Sequence, residues 1–126
     1  MLVVKHSERP YISSASGHPS LSMVVNREVG ASAMSVWVAN HEPGEVVPLH
    51  FHDVEEVLVF LEGEGEATVG DETIPIRANM SIIVPPRRPH GYRNTGSGPL
   101  RIIATQPDPD ARRGRLWEPA ATAAAG

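Results

Sequence analysis

Between residues 31 and 105 the chain never sustains the spacing of a long amphipathic helix; its apolar positions fall in short runs cut by glycine, proline and polar turn residues. Runs of this length, rich in β-branched residues and flanked by turn signals, are strands, and several in succession bury their apolar faces by closing into a barrel or jelly roll. The pattern predicts strands over 31–39, 54–61, 66–69, 72–76, 81–84, 90–94 and 100–105. Turns are expected at His41-Glu42-Pro43-Gly44, at Glu62-Gly63-Glu64-Gly65, at the compact hairpin signal Gly70-Asp71, and over residues 95–99. The fold class expected is all-β, a single-domain β-barrel.

The chain's 126 residues are enough for one core and too few for a second domain. The barrel core is placed over 30–107. Before it, an extension over 1–29 carries scattered apolar residues (Leu2, Val3, Val4, Ile12, Leu21, Met23) suited to edge strands or to a neighbouring subunit. After it, a segment over 108–126 has Trp117 as its anchor and an alanine-rich end with little to bury.

Chemistry concentrates in two segments. In Pro48-Leu49-His50-Phe51-His52-Asp53-Val54-Glu55-Glu56, His50 and His52 share one face of a strand, and Glu56 has the same parity. A turn or bulge near Asp53-Val54 would let the carboxylate close on an ion that both histidines reach. Imidazoles with one carboxylate suit Fe, Mn, Co, Ni, Cu or Zn, and the absence of cysteine leaves no thiolate to select a softer metal. A polar strand face gives the same pattern without a metal. The second segment, Asn79 to Asn94, is an apolar run ending in the turn Pro85-Pro86-Arg87-Arg88-Pro89, after which His90 restarts a strand.

Together these segments resemble the paired motifs of the cupin superfamily. Gly44, His50, His52, Glu56 and Gly63 match the first motif throughout, and Pro85, His90 and Asn94 match the second. Asn79 and Arg87 stand where the family usually has glycine. Asn tolerates positive φ and keeps a turn; Arg87 implies either a changed turn or a guanidinium beside the barrel mouth. The resemblance spans roughly residues 30–107 and implies a cupin-type barrel of jelly-roll, RmlC-like form. It also implies one divalent transition metal on His50, His52, Glu56 and His90, and a homodimer.

Three neutral histidines and one carboxylate leave a six-coordinate ion two open positions, suited to water, a bidentate oxygen ligand, or substrate with dioxygen. Glu56 is named as catalytic base, with simple ligation as the alternative. Tyr92, on the parity of His90, is named as a substrate-orienting catalytic residue, with a rim hydrogen bond as its alternative; Asn94 is read the same way. Leu58 and Phe60 are expected in the apolar cavity wall, Trp37 and Phe51 in the core, and His41 at the surface or behind the ligands.

The functions carried forward are a metal-dependent oxygenase-like or isomerase-like enzyme acting on a small oxygenated molecule, a non-catalytic binding or sensor module with the same metal, and a metal-free barrel. A formal charge of -4 without a basic face argues against nucleic acid. Arg112, Arg113 and Arg115, near Asp108 and Asp110, read as an ion-paired surface. No stretch suits a membrane span or a signal peptide, so no membrane partner and a cytoplasmic location are expected.

Overall fold

The computed structural model describes residues 1–12, 20–112 and 114–117. Among the described residues ten strands form two five-stranded antiparallel sheets. In chain order they are β1 (Ser20–Val25), β2 (Ser35–His41), β3 (Val46–Phe51), β4 (Glu56–Glu62), β5 (Glu64–Val69), β6 (Glu72–Arg77), β7 (Met80–Val84), β8 (His90–Asn94), β9 (Leu100–Gln106) and β10 (Arg115–Leu116). One sheet runs β1-β2-β9-β4-β7 and the other β10-β3-β8-β5-β6, the two-sheet form of a cupin barrel. Among the described residues no helix is long and apolar enough to cross a membrane.

The core follows from alternation. Along β4 the buried positions are Glu56, Leu58 and Phe60, and along β9 they are Leu100, Ile102, Ala104 and Gln106. The register sets Leu58 opposite Ala104 and Phe60 opposite Ile102, while β2 sets Ala39 opposite Ile102. Facing them from the second sheet, Ala67, Ile76 and Tyr92 complete one apolar cluster. Each large aliphatic or aromatic side chain buried there contributes about 1.5–3 kcal/mol.

Strand ends depart from the sequence expectation where a partner strand fixes them. The first central strand covers Ser35–His41 instead of 31–39, because its ladder with β9 runs from Ser35 opposite Gln106 to His41 opposite Leu100. His41 is therefore a fully buried strand residue, not a turn or surface residue. The turn expected over 62–65 contracts to Gly63, whose φ of 88° reverses the chain, and Glu64 and Gly65 already pair with Arg77 and Ile76. A side chain at Gly63 would also meet Leu100 Cα at 2.9 Å. Asn79 holds the turn at φ 70°, and Arg87 keeps the left-handed conformation of the glycine it replaces at φ 62°.

Within the extension, β1 forms the edge of the first sheet and Ile12 bridges Leu21. Trp117 anchors the other end: its N–H donates to the Leu49 carbonyl at 3.0 Å and its ring meets Phe51 edge-on at 6.1 Å. The alanine-rich end, residues 118–126, lies outside the described residues.

Candidate metal centre

The two sheets bring the four residues to one end of the barrel. His50 sits near the end of β3 directly opposite His90, the first residue of β8. After Phe51 the chain leaves that sheet and enters the other at Glu56, so His52 falls on the crossing. The turn before β8 is fixed on this crossing, because the Arg87 N–H donates to the His52 carbonyl at 2.6 Å. Ligand atoms of His50, His52, Glu56 and His90 all lie within 4.8 Å of one another. Glu56 and His90 are buried, while His50 and His52 are half-buried and form the open side.

Hydrogen bonding shows what the cluster is suited to hold. His50 Nδ1–H donates to the Pro48 carbonyl at 2.9 Å and His90 Nδ1–H to the Arg88 carbonyl at 3.0 Å. A neutral imidazole that donates from Nδ1 carries a lone pair on Nε2. His90 Nε2 nevertheless faces Glu56 Oε1 at 2.9 Å, and His52 Nε2 faces Glu56 Oε2 at 3.4 Å. A His90 lone pair facing a buried carboxylate oxygen at 2.9 Å needs a cation between them, either a proton or a metal ion. Backbone carbonyls holding the far side of two imidazoles are also the usual support of metal-ligating histidines. The residues fit a divalent transition metal.

Electrostatics favour the ligating form of His50, His52 and Glu56. Burial first, and then the neighbouring His90, pushes His50 down to about 4, and burial lowers His52 as well. At Glu56 burial acts upward but is outweighed by its contacts with His90, His52 and Gln106, which leave it below the usual carboxylate range. Gln106 Nε2 donates to Glu56 Oε2 at 2.6 Å.

The remaining candidates divide. Tyr92 is buried, edge-on to His41 at 4.8 Å and to Phe60 at 6.1 Å between ring centroids. Burial, with the charge of Glu56, raises its hydroxyl well above the ordinary value, so it stays protonated. Asn94 spends its side chain on backbone: Nδ2 donates to the carbonyls of His41 and Gly98, and Oδ1 accepts from the Gly96 N–H. It fixes the loop after β8 and does not face the ligands. Leu58 and Phe60 belong to the apolar cluster, with Trp37 packed against it. Phe51 lies instead under Arg115, whose guanidinium carbon stands 4.6 Å from the ring centre. The Arg87 guanidinium reaches the rim, 3.5 Å from Asp53.

Sequence reading passed over Gln106. Its signal was a polar residue ending the inward alternation Leu100, Ile102, Ala104.

Comparison with known proteins agrees with this fold. The family model described as "Cupin domain" matches residues 37–105. Auxin-binding protein 1 of Arabidopsis thaliana is 32% identical over 99 residues, covering 69% of this chain and 50% of that protein. Polyketide synthase CurC of Streptomyces cyaneus is 33% identical over 76 residues, 60% of this chain and 49% of that one. The chain thus spans about half the length of these relatives. Among solved structures, the polyketide cyclase RemF of Streptomyces resistomycificus superposes with a TM-score of 0.75 at 20% identity, covering 94% of this chain and 88% of that one. A predicted oxalate decarboxylase of Thermotoga maritima gives 0.71 at 26% identity, covering 83% and 97%.

Proposed function

The chain belongs to the cupin family, and from that premise we propose that it is a metal-dependent enzyme acting on a small oxygenated molecule, with His50, His52, Glu56 and His90 as the ligands of one divalent transition ion. The observation that carries this reading is the convergence of three imidazoles and one carboxylate within 4.8 Å, with two rings pinned by backbone carbonyls. A bound ion supplies Lewis acidity toward a carbonyl, carboxylate or enolate oxygen and, if it is iron, manganese, nickel or copper, electron transfer.

The chain's own residues do the rest. Gln106 donates to Glu56 Oε2 and so holds the carboxylate in one orientation as ligand. Tyr92 remains a neutral hydroxyl, which orients a bound oxygen atom rather than removing a proton. Leu58, Ala104 and Val84 keep the wall beside Glu56 apolar, which strengthens every polar contact made inside. Names such as oxalate decarboxylase and polyketide cyclase among the structural neighbours suit an oxygen-rich substrate.

A second reading is a binding module that grips its ligand without turning it over. It is favoured by Tyr92 being pushed away from acid-base work and by a relative bearing the name of a binding protein.

Elemental analysis of protein purified without chelator tests the site: wild type should hold about one transition metal ion per chain, and His52→Ala should lose most of it because one of four ligands is gone. Absence of metal in wild type after reconstitution with Mn, Fe, Co, Ni, Cu and Zn overturns the reading, as does a His52→Ala variant that keeps its metal. Turnover of a panel of small carboxylic and hydroxy acids by the loaded protein separates the enzyme from the binding module.

A further inference from the structure

We infer that the segment following β9, residues 107–112 and 114–117, is a strap across the mouth of the histidine cluster, and that Gly114 sets how much room lies above His50 and His52. Only its consequence for bound metal rests on the function proposed above.

Topology requires the crossing. β9 ends at Gln106, whose side chain lies on Glu56 at the ligand end of the first sheet. β10 then pairs with β3 in the second sheet, Arg115 opposite Phe51 and Leu116 opposite His50. The chain between must bridge the two sheets at the end that holds the cluster.

Both ends of the strap are moored. On the first side the Arg27 N–H donates to the Pro109 carbonyl at 2.9 Å, and the Arg27 guanidinium donates twice to Asp110, each bond 2.8 Å. On the second, Arg115 pairs with Asp53 at 2.6 Å and lies over Phe51, while Trp117 is tied to Leu49. Between the moorings Gly114 lies directly on the cluster. A Cβ there would run into the His50 ring and approach His52 Cε1 at 3.1 Å. Any side chain at 114 must lift the strap or turn an imidazole.

The strap is built to yield. β10 is two residues long, and the charged side chains of Arg27, Asp110, Arg115 and Asp53 are each about 60% exposed (61%, 59%, 64% and 60%). Exposed ion pairs are individually weak. With the strap down, the open side of His50 and His52 is roofed by glycine backbone, which restricts entry to a small molecule; a larger one enters only when the moorings release. Gly114 is therefore a specificity-determining position.

The test is chemical labelling of metal-free full-length protein with diethyl pyrocarbonate, followed at His50, His52 and, as exposed reference, His6. The double variant Asp110→Ala, Arg115→Ala should label His50 and His52 about fivefold faster, the shift expected from two lost surface ion pairs, with His6 unchanged. Gly114→Ala should also accelerate labelling. Gly98→Ala, at a position with nothing within 4 Å, should not. Unchanged rates in the double variant overturn the strap; a Gly114→Ala rate equal to that of Gly98→Ala overturns the role of Gly114. Circular dichroism on each variant confirms that it is folded. Cobalt(II) uptake, measured separately, keeps the two readings apart: faster labelling with no cobalt bound leaves the strap standing and removes the metal.

Discussion

Replacing His41 with leucine should stabilise the protein, and by an amount that grows as pH falls. His41 is 0% exposed and neither ring nitrogen has a hydrogen-bond partner. Each unmatched buried polar atom costs about 1–3 kcal/mol, and leucine, close in volume, removes both at some cost in repacking against Tyr92 and Leu100. The net gain at pH 7.5 should be about 1–2 kcal/mol. Burial also pushes the imidazole from 6.5 down to about 4. Between those values the unfolded chain binds a proton that the folded chain refuses. Wild-type stability is then complete above pH 6.5 and falls by about 1.4 kcal/mol per pH unit until about pH 4. The leucine variant lacks this loss, so its advantage should widen by about 2 kcal/mol between pH 7.5 and pH 5. Urea denaturation of both proteins at several pH values in that range, with chelator present to remove any metal linkage, measures the gap directly. A gap that stays flat with pH refutes the buried, unpartnered histidine; a variant less stable than wild type throughout shows that the nitrogens are satisfied in solution.

Two further substitutions address the site's surroundings. Arg87→Gly should raise stability by about 0.5 kcal/mol by relieving the left-handed backbone at that position, and should leave cobalt(II) affinity unchanged because the guanidinium pairs with Asp53 at the rim; a fall in affinity in titration would give the side chain a part in the centre. Gln106→Ala deprives Glu56 Oε2 of its donor and should weaken cobalt(II) binding about 10–100-fold in competition with a chelator, whereas unaltered affinity would make Gln106 a bystander.

The four candidate ligands were legible because their information is local. Parity places His50 beside His52, and the proline turn of 85–89 sets the start of β8, which matches the sequence expectation at both ends. The residues that hold Glu56 and roof the cluster were not legible. Gln106 reaches Glu56 across 50 positions, and Gly114 meets His50 only because β10 pairs with β3. His41 was misplaced for the same reason: the segment His41 to Gly44 looks like a turn, but the ladder to β9 extends the strand through His41, which is buried. Arg87 keeps the left-handed turn and its guanidinium reaches the rim beside Asp53, so of the two sequence alternatives the changed turn falls. Arg115, read as an ion-paired surface residue, does pair with Asp53, and its other contact, Phe51, required knowledge of β10.

His50 and His90 belong to one sheet and Glu56 to the other, with His52 on the crossing between them. No subset of neighbouring strands can make this constellation: His50 waits for β8, and Glu56 for Gln106 at the end of β9. Pairings so distant along the chain form late, after the entropy of closing long loops has been met. During synthesis, a ribosome that has released β3 and β4 but not β8 exposes three donors without the fourth. The cluster therefore cannot seed folding. It is complete only when the fold is, and an ion that required the full set would be withheld from every unfinished chain.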